Sequence, residues 1–281
     1  MKPFRRIAFV FNQQKTGAHE LTHELIEIAH AAGATSKITG TRKLPRGYLK
    51  GCDVCCVIGG DGTLLGVVRE AARQNIPVIG VNQGSLGFLT TFSAEEAQSQ
   101  FSGLIAGNYR LSERTLLDCK AGPRRRDFAL NDVVIKDEVN SRLVRLEVHA
   151  DGKFVTDYNC DGLIFATPTG STAYNLAAGG PIVHPKARVI AMTPICPHTL
   201  SDRTIIFRDQ VKLRITSLSA SSRVLVAMDG QRNLVATENS PIEITTAKHQ
   251  LALVQAHDHS HFAVMRTKLR WTGGYLGNPS K

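Results

Sequence analysis

No apolar run in the 281 residues approaches the roughly 20 positions that a bilayer-spanning helix needs. The beginning, Met1-Lys2-Pro3-Phe4-Arg5-Arg6, lacks the apolar core of a secretory signal. Cysteine is too sparse for a disulfide framework in a chain of this length: there are six, Cys52, Cys55, Cys56, Cys119, Cys160 and Cys196. Cys52 and Cys55 have redox-motif spacing, but Cys55 and Cys56 fall inside an apolar run, where cysteine behaves as a small hydrophobe. Internal repeats, low-complexity segments, zinc fingers, helix-turn-helix and RNA-recognition signatures are all missing. These absences lead to the expectation of a soluble, cytoplasmic protein with neither a membrane nor a nucleic acid as partner.

Acidic residues are also in short supply. Asp and Glu number 24 against 34 Lys and Arg, a formal charge of +10, which favours anionic partners such as nucleotides or polyphosphate. The densest basic run, Arg124-Arg125-Arg126, follows Gly122-Pro123 and reads as a solvated turn. At 42% hydrophobic and 21% charged residues the chain is globular, and its length suits one large domain or two ordinary ones.

What is present begins with Gly59-Gly60-Asp61-Gly62-Thr63. The apolar run Val54–Ile58 before it reads as a buried strand, and Leu64-Leu65-Gly66-Val67-Val68-Arg69 after it as a helix start. A strand, a glycine-rich turn and a helix make a phosphate site, because glycine lets the backbone approach an anion and the helix N-terminus offers free N–H groups. A plain cradle has no need of the carboxylate of Asp61; one that holds a metal ion or accepts a proton during phosphoryl transfer does.

Strand and helix alternate over the first hundred residues. Ile7–Phe11 is a strand, His19–Ala32 an amphipathic helix closing at Gly33, Pro77–Val81 a strand, and Ala94–Ile105 a helix stopping at Gly107-Asn108. Between the last two lies a second glycine-rich loop, Asn82-Gln83-Gly84-Ser85-Leu86-Gly87-Phe88-Leu89. The expected fold is an α/β N-terminal domain with a parallel, Rossmann-like sheet over residues 1–120. A mostly β C-terminal domain over residues 121–260 follows, with strands at 143–149, 162–167, 210–215, 224–228, 241–246 and 250–255. Asp151-Gly152 and Asp229-Gly230 are hairpin turns in this reading. Residues 261–281 show little pattern and are expected to return to the first domain.

Two further segments could carry chemistry. Leu163–Ala166 reads as a strand leading into the hydroxyl-rich turn Thr167–Thr172 and a short helix ending at Gly179-Gly180. Small residues beside a helix start leave room for a flat ring, although the segment also fits an ordinary Ser/Thr capping turn. Asn131-Asp132, ahead of apolar Val133-Val134-Ile135, can bond a ribose diol or make an Asx turn. His19-Glu20-Leu21-Thr22-His23 matches the helical zinc-protease pattern, but Ile26 and Ala29 stand where its longer form has glycine and a third histidine, so it reads as a solvated helix face. His257, His259 and His261 read as a polar strand face or a loop, and no metal site is assigned.

Taken in order, these motifs resemble the bacterial-type NAD kinases. The carriers are Gly59–Thr63, Asn82–Thr90, Asn131-Asp132, Asp161-Gly162, Thr167–Tyr174, Gly179-Gly180-Pro181-Ile182, Pro197–Arg203 and Asp229-Gly230-Gln231, and the likeness runs from about residue 5 to 270. A lone GGDG is weak, since diacylglycerol kinases and phosphofructokinases resemble it too; the ordered set is specific. The resemblance implies transfer of the γ-phosphate of ATP to the 2′-hydroxyl of the adenosine ribose of NAD. It implies Mg²⁺ or another divalent cation with the ATP, Asp61 as proton acceptor, and Gly59, Gly60, Asp61, Gly62 and Thr63 as the phosphate-donor loop.

The same resemblance carries NAD contacts onto Asp61, Gly62, Asn131, Asp132, Arg142, Asn159, Asp161, Thr172, Ala173, Tyr174, Asn175, Leu176, Ala177 and Gln231. Asn131 and Asp132 would hold ribose hydroxyls, and Thr172–Ala177 would line the adenine and ribose pocket. Asp132 stands where family members often carry Glu, so the same charge sits on a shorter arm. The resemblance also implies a site in a crevice between the domains and a homodimer or homotetramer. A dinucleotide-sensing protein without chemistry and a lipid kinase are the competing expectations.

Overall fold

The first element, Arg6–Phe11 (β1), is apolar and buried from Ile7 onward, as a strand covered on both faces must be. In the computed structural model it is followed by Ala18–Ala31 (α1), Thr35–Thr39 (β2), Val54–Gly59 (β3), Asp61–Gln74 (α2), Val78–Asn82 (β4) and Ala94–Ala106 (α3). The structure describes residues 1–41, 43–84, 87–122, 125–138, 143–199, 201–218, 223–236 and 240–271. It divides into two units, Met1–Ser112 with the described residues after 251, and Glu113–Leu251.

In the first unit β1 pairs in parallel with β2 on one side and β3 on the other, and β3 pairs in parallel with β4. The helices are legible residue by residue. Leu21, Leu25 and Ala29 of α1 are buried at helical spacing, and Gly33 beyond its end takes φ +75°. Ser93 and Glu96 form a reciprocal capping box at the start of α3, and Gly107 in the left-handed region ends it. The chain crosses from β2, past β1, to β3. The order β2-β1-β3-β4 therefore reverses direction between β1 and β3.

The second unit is mostly β. Arg110–Ala121 (β5) enters it from the first unit. There follow Arg126–Ala129 (β6), Asp132–Asp137 (β7), Val144–Ala150 (β8), Lys153–Cys160 (β9) and Gly162–Ala166 (β10). A 3₁₀ turn at Thr169–Thr172 and a short helix Tyr174–Ala177 (α4) precede Val189–Ile195 (β11), Ile205–Arg208 (β12), Leu213–Ser217 (β13), Val224–Met228 (β14), Arg232–Ala236 (β15) and Ile242–Gln255 (β16). Six strands form a sheet in the order β12-β11-β10-β7-β14-β15. Its two faces differ. Val133, Ile135, Leu163, Phe165, Val226 and Met228 point into a large aliphatic and aromatic core. The alternate residues Val134, Ile164, Ala166, Ala191 and Ala227 make a second face of mostly small side chains.

Three expectations need correction. The strands expected at 241–246 and 250–255 are one strand, β16, because Ala247–His249 between them holds neither glycine nor proline to break it. Its end belongs to the first unit, where Leu253 pairs in parallel with Val78. The strand expected at 210–215 begins at Leu213, because the Lys212 amide is already spent on Asp151 Oδ1 at 3.0 Å. Arg125 and Arg126 are exposed, but the basic run is not all turn: Arg126 lies on β6 and clasps Asp118, and the Arg125 guanidinium donates to the Val235 carbonyl, while Arg124 lies outside the described residues.

Asp151-Gly152 and Asp229-Gly230 are hairpin turns with positive φ, as read. Five of the cysteines are buried and Cys196 is exposed, all as free thiols. His261–Leu269 forms a last helix (α5), so of the three alternating histidines two lie in a loop and the third opens this helix. No helix among the described residues is long and apolar enough to cross a membrane.

Candidate active site

In the first unit the site is built at the carboxyl ends of β1, β3 and β4. β3 ends at Gly59, Gly60 is extended, and α2 starts at Asp61 with no side-chain cap. The Thr63 hydroxyl packs onto Gly59, where an added Cβ would come within 2.6 Å of it. The second glycine-rich loop folds back along β4: Phe92 N–H donates to Gly80 O, and Asn82 N–H to Phe92 O. Gly80 permits this return, since a Cβ there would lie 2.8 Å from the Leu89 carbonyl. Ser85 and Leu86 lie outside the described residues.

That return delivers a row of N–H groups to Asp61. Phe88 N–H donates to Oδ2 at 2.8 Å, and Leu89 N–H, Thr90 N–H and the Thr90 hydroxyl donate to Oδ1 at 3.1, 3.0 and 3.0 Å. A carboxylate oxygen offers about two lone-pair directions. Oδ1 is fully used, whereas Oδ2 takes one donor among the described residues and keeps an acceptor site. Gly87 is the enabling residue, because a Cβ there would stand 2.1 Å from Asp61 Oδ1. Asp61 itself is half-buried, Gly62 exposed and Thr63 buried.

In the second unit a pocket of about 370 Å³ opens on the small-residue face of the six-stranded sheet. Asp132, Val134 and Lys136 reach it at alternate positions of β7, and Ala227, Ala173, Tyr174, Asn131, Asp229 and Gly230 complete the wall. Val134 and Ala227 give this lining its apolar part. Gly170 lets the 3₁₀ turn close on the strand entry: a Cβ there would sit 1.9 Å from the Asn131 carbonyl. The Thr167 hydroxyl donates to Leu130 O and its N–H to Asn131 O.

The polar edge of this pocket is a pair of buried aspartates. Asp229, whose side chain is 0% exposed, takes Leu130 N–H on Oδ2 at 3.0 Å, and Asn131 and Asp132 N–H on Oδ1 at 2.7 and 3.3 Å. Arg232 lies 3.7 Å from it and is itself bound to Asp127 and the Phe128 carbonyl. Burial raises the Asp229 pKa, and these donors and Arg232 oppose the rise. Asp132 is 5% exposed, and burial together with the Asp229 charge pushes its carboxyl up to about 7.

The remaining expected residues scatter. Thr172 ends the 3₁₀ turn, and Leu176 and Ala177 lie on α4 away from the pocket wall. Asn175 is fully buried and its amide is consumed internally: Nδ2 donates to Ser171 O and Pro181 O, and Oδ1 accepts from the Thr193 hydroxyl. Its side chain braces the turn and is not free to meet a ligand. Asn159 and Asp161 are exposed at the β9–β10 junction, and Gln231 sits in the β14–β15 turn. Arg142 and Leu200 lie outside the described residues.

Sequence reasoning gave Asp229, Lys136, Gly87 and Thr90 no role in the site. Gly87 and Thr90 lay in the second glycine-rich motif and Asp229 in a DG step read as a turn, but none of these signals pointed to a contact in the site. His19 and His23 meet edge to face on α1 with their Nε2 atoms 3.1 Å apart, and among the described residues no third His, Cys, Asp or Glu stands with them. The glycine loop offers one carboxylate, Asp61, a donor set that suits Mg²⁺ carried mainly by phosphate oxygens and water.

Against known proteins, the family pattern for the ATP-NAD kinase N-terminal domain matches residues 12–109, and that for the ATP-NAD kinase C-terminal domain matches residues 130–256. An NAD kinase of Pseudomonas putida F1 is 41% identical over 245 residues, 85% of this chain and 81% of that protein. An NAD kinase of Pseudomonas entomophila L48 is 41% identical over 244 residues, with the same coverage. In fold, the chain is similar to a yeast NADH kinase complexed with NADH (TM-score 0.84, 24% identity, covering 100% of this chain and 91% of the other). It is also similar to an NAD kinase from Archaeoglobus fulgidus in complex with ATP (TM-score 0.80, 23% identity, 94% and 98% covered).

Proposed function

The chain belongs to the ATP-NAD kinase family and phosphorylates NAD with ATP to give NADP, and from that premise we propose how its own residues divide the work. In the reaction the 2′-oxygen of the adenosine ribose attacks the γ-phosphorus. The new O–P bond forms, the bond to the β–γ bridging oxygen breaks, and ADP leaves. A sugar hydroxyl is a poor nucleophile near neutral pH, so its proton needs an acceptor.

Asp61 is that acceptor, through Oδ2. The observation that carries this reading is the asymmetry of its carboxylate: among the described residues Oδ1 is fixed by three donors, while Oδ2 takes one and keeps an acceptor site. A carboxylate so held needs no reorientation at the moment of transfer, and base catalysis of this kind contributes about 10²–10⁴ in rate. Gly59–Thr63 holds the donor phosphates on backbone N–H groups. Mg²⁺ or another divalent cation bound with ATP supplies neutralisation of phosphate charge, and Asp61 is the protein carboxylate of this loop that would meet it.

Asn131 and Asp132 bond the ribose hydroxyls, and the wall of Val134, Ala173, Tyr174 and Ala227 takes a flat ring. Gly62, Arg142, Asn159, Asp161, Thr172, Leu176, Ala177 and Gln231 remain NAD contacts in this reading, with Asn175 acting through the fold of its segment. The protein works in the cytoplasm as a homodimer or homotetramer, which sedimentation of the purified protein checks. The functional test is incubation with NAD, ATP and Mg²⁺ and detection of product with an NADP-specific dehydrogenase. NADP should accumulate only with all three present. Tight nucleotide binding without NADP would mark a sensing protein instead.

A further inference from the structure

The loop after β1 has no part in the roles assigned so far, yet it stands at the point where the strand order reverses. In open parallel sheets, ligands lie outside the carboxyl ends of the two strands at such a reversal. Here those strands are β1 and β3, and the loops that leave them are residues 12–17 and Gly59–Thr63. The first loop is tied down. Gln14 N–H donates to Asn12 Oδ1 at 3.1 Å, Lys15 N–H to Asn12 O at 3.0 Å, and the Gln83 side-chain amide to Thr16 O at 3.0 Å.

Lys15 emerges from this loop half-buried, and its ammonium donates to the Gln83 carbonyl. Its position is bounded by two glycines from the two glycine-rich loops. A Cβ on Gly60 would lie 3.7 Å from Lys15 Nζ, and one on Gly84 would lie 3.2 Å from it. The ammonium therefore lies over the bare backbone immediately before α2. Among the described residues no carboxylate pairs with it. A lysine held in place by a carbonyl, against glycine backbone and without a counter-ion, has donor capacity left for an anion.

We propose that Lys15 is a phosphate-binding residue of the kinase reaction, contributed by the β1–α1 loop and contacting the polyphosphate chain of the donor nucleotide. The assignment rests on reading Gly59–Thr63 as the donor loop. It gives the +10 chain one defined cation at the site of greatest negative charge. As phosphate charge shifts toward the leaving ADP, an ammonium at this position stabilises it without any proton transfer.

The test is steady-state kinetics of Lys15→Met and Lys15→Arg with ATP and NAD varied separately. Lys15→Met keeps the aliphatic stem and removes the charge. It should lower kcat/KM for ATP by about 10- to 100-fold, the range of a lost charge-assisted contact, and leave KM for NAD within about twofold. Lys15→Arg should restore most of the loss. The fall of kcat/KM for ATP with added salt should be shallower in Lys15→Met than in the parent. Equal loss in both variants, or kcat/KM for ATP within about twofold of the parent in Lys15→Met, overturns the assignment. A parent that makes no NADP removes the donor-loop reading, and this proposal with it; an active parent with an indifferent Lys15→Met overturns the Lys15 role alone.

Discussion

The two aspartates central to this protein live in opposite surroundings. Asp61, in the first unit, is half-buried and receives four hydrogen bonds from one short return loop. Asp132, in the second unit, is almost fully buried beside another aspartate, and burial and that neighbour hold its proton up to about pH 7. The difference suits the two tasks proposed for them. A carboxylate with one saturated oxygen and one that keeps an acceptor site is fixed in direction, which suits accepting a proton from one place. A carboxyl poised between charged and neutral suits grasping hydroxyl groups, with an affinity that follows its charge.

The surroundings also differ in how they are made. Asp61 depends on backbone geometry, on Gly87 and Gly80 giving way to a returning loop. Asp132 depends on side-chain electrostatics, on Asp229 pinning Leu130, Asn131 and Asp132 while Arg232 and Asp127 brace it.

The strongest way to break this contrast is Asp229→Ala. It leaves three N–H groups without their acceptor and should lower the stability of the protein by about 3 kcal/mol or more, read by urea unfolding. Little change in the midpoint would mean that the strand entry is held by something else. Next is Gly87→Ala, which should displace the Asp61 carboxylate by steric contact. A fall in kcat of about 10- to 100-fold with KM for NAD nearly unchanged is expected, and an unchanged kcat would show that the orientation of Asp61 is unimportant.

The pH profile should sharpen the contrast further. Ionised Asp132 is the better acceptor for ribose hydroxyls, so kcat/KM for NAD should rise with pH through about 7. The charged groups around it are Asp229, Lys136 and, behind Asp229, Arg232. Asp229→Asn removes the repelling charge and should move this limb to lower pH; an unmoved limb would detach it from the pair.

The smallest effect concerns stability. The raised pKa of Asp132 carries no penalty below the ordinary carboxylate range, where folded and unfolded chains are both protonated. As pH rises from about 4 to about 7 the unfolded chain ionises first, and folding is disfavoured. Asp132→Asn should therefore gain on the order of 1–2 kcal/mol over the parent at about pH 8, and nothing at about pH 4, in thermal or urea unfolding.

The two units were unequally legible in the sequence. Gly59–Thr63 is one contiguous stretch, and strand-helix alternation around it follows from short-range spacing, so the strand end, the helix start and their sheet could be read directly. The hydrogen bonds to Asp61 could not, because they come from residues 88–90 and depend on a loop doubling back along β4. In the second unit the pocket joins residues 131–136, 173–174 and 227–230, which strand pairing and the turn after β10 bring together. Asp229 looked like a turn residue, and it is one; its burial against the entry of β7 carries no local mark. Asn175 shows the converse, a residue carried over by resemblance whose amide the fold has already used.

The division of labour between the aspartates is tested most directly by measuring kcat and KM for NAD in Asp61→Asn and Asp132→Asn side by side at about pH 8. The account predicts that Asp61→Asn loses about 10²–10⁴ in kcat while binding NAD much as the parent does. It predicts that Asp132→Asn raises KM for NAD by about tenfold with kcat largely kept. Near-normal kcat in Asp61→Asn, or a loss in Asp132→Asn confined to kcat, would contradict it.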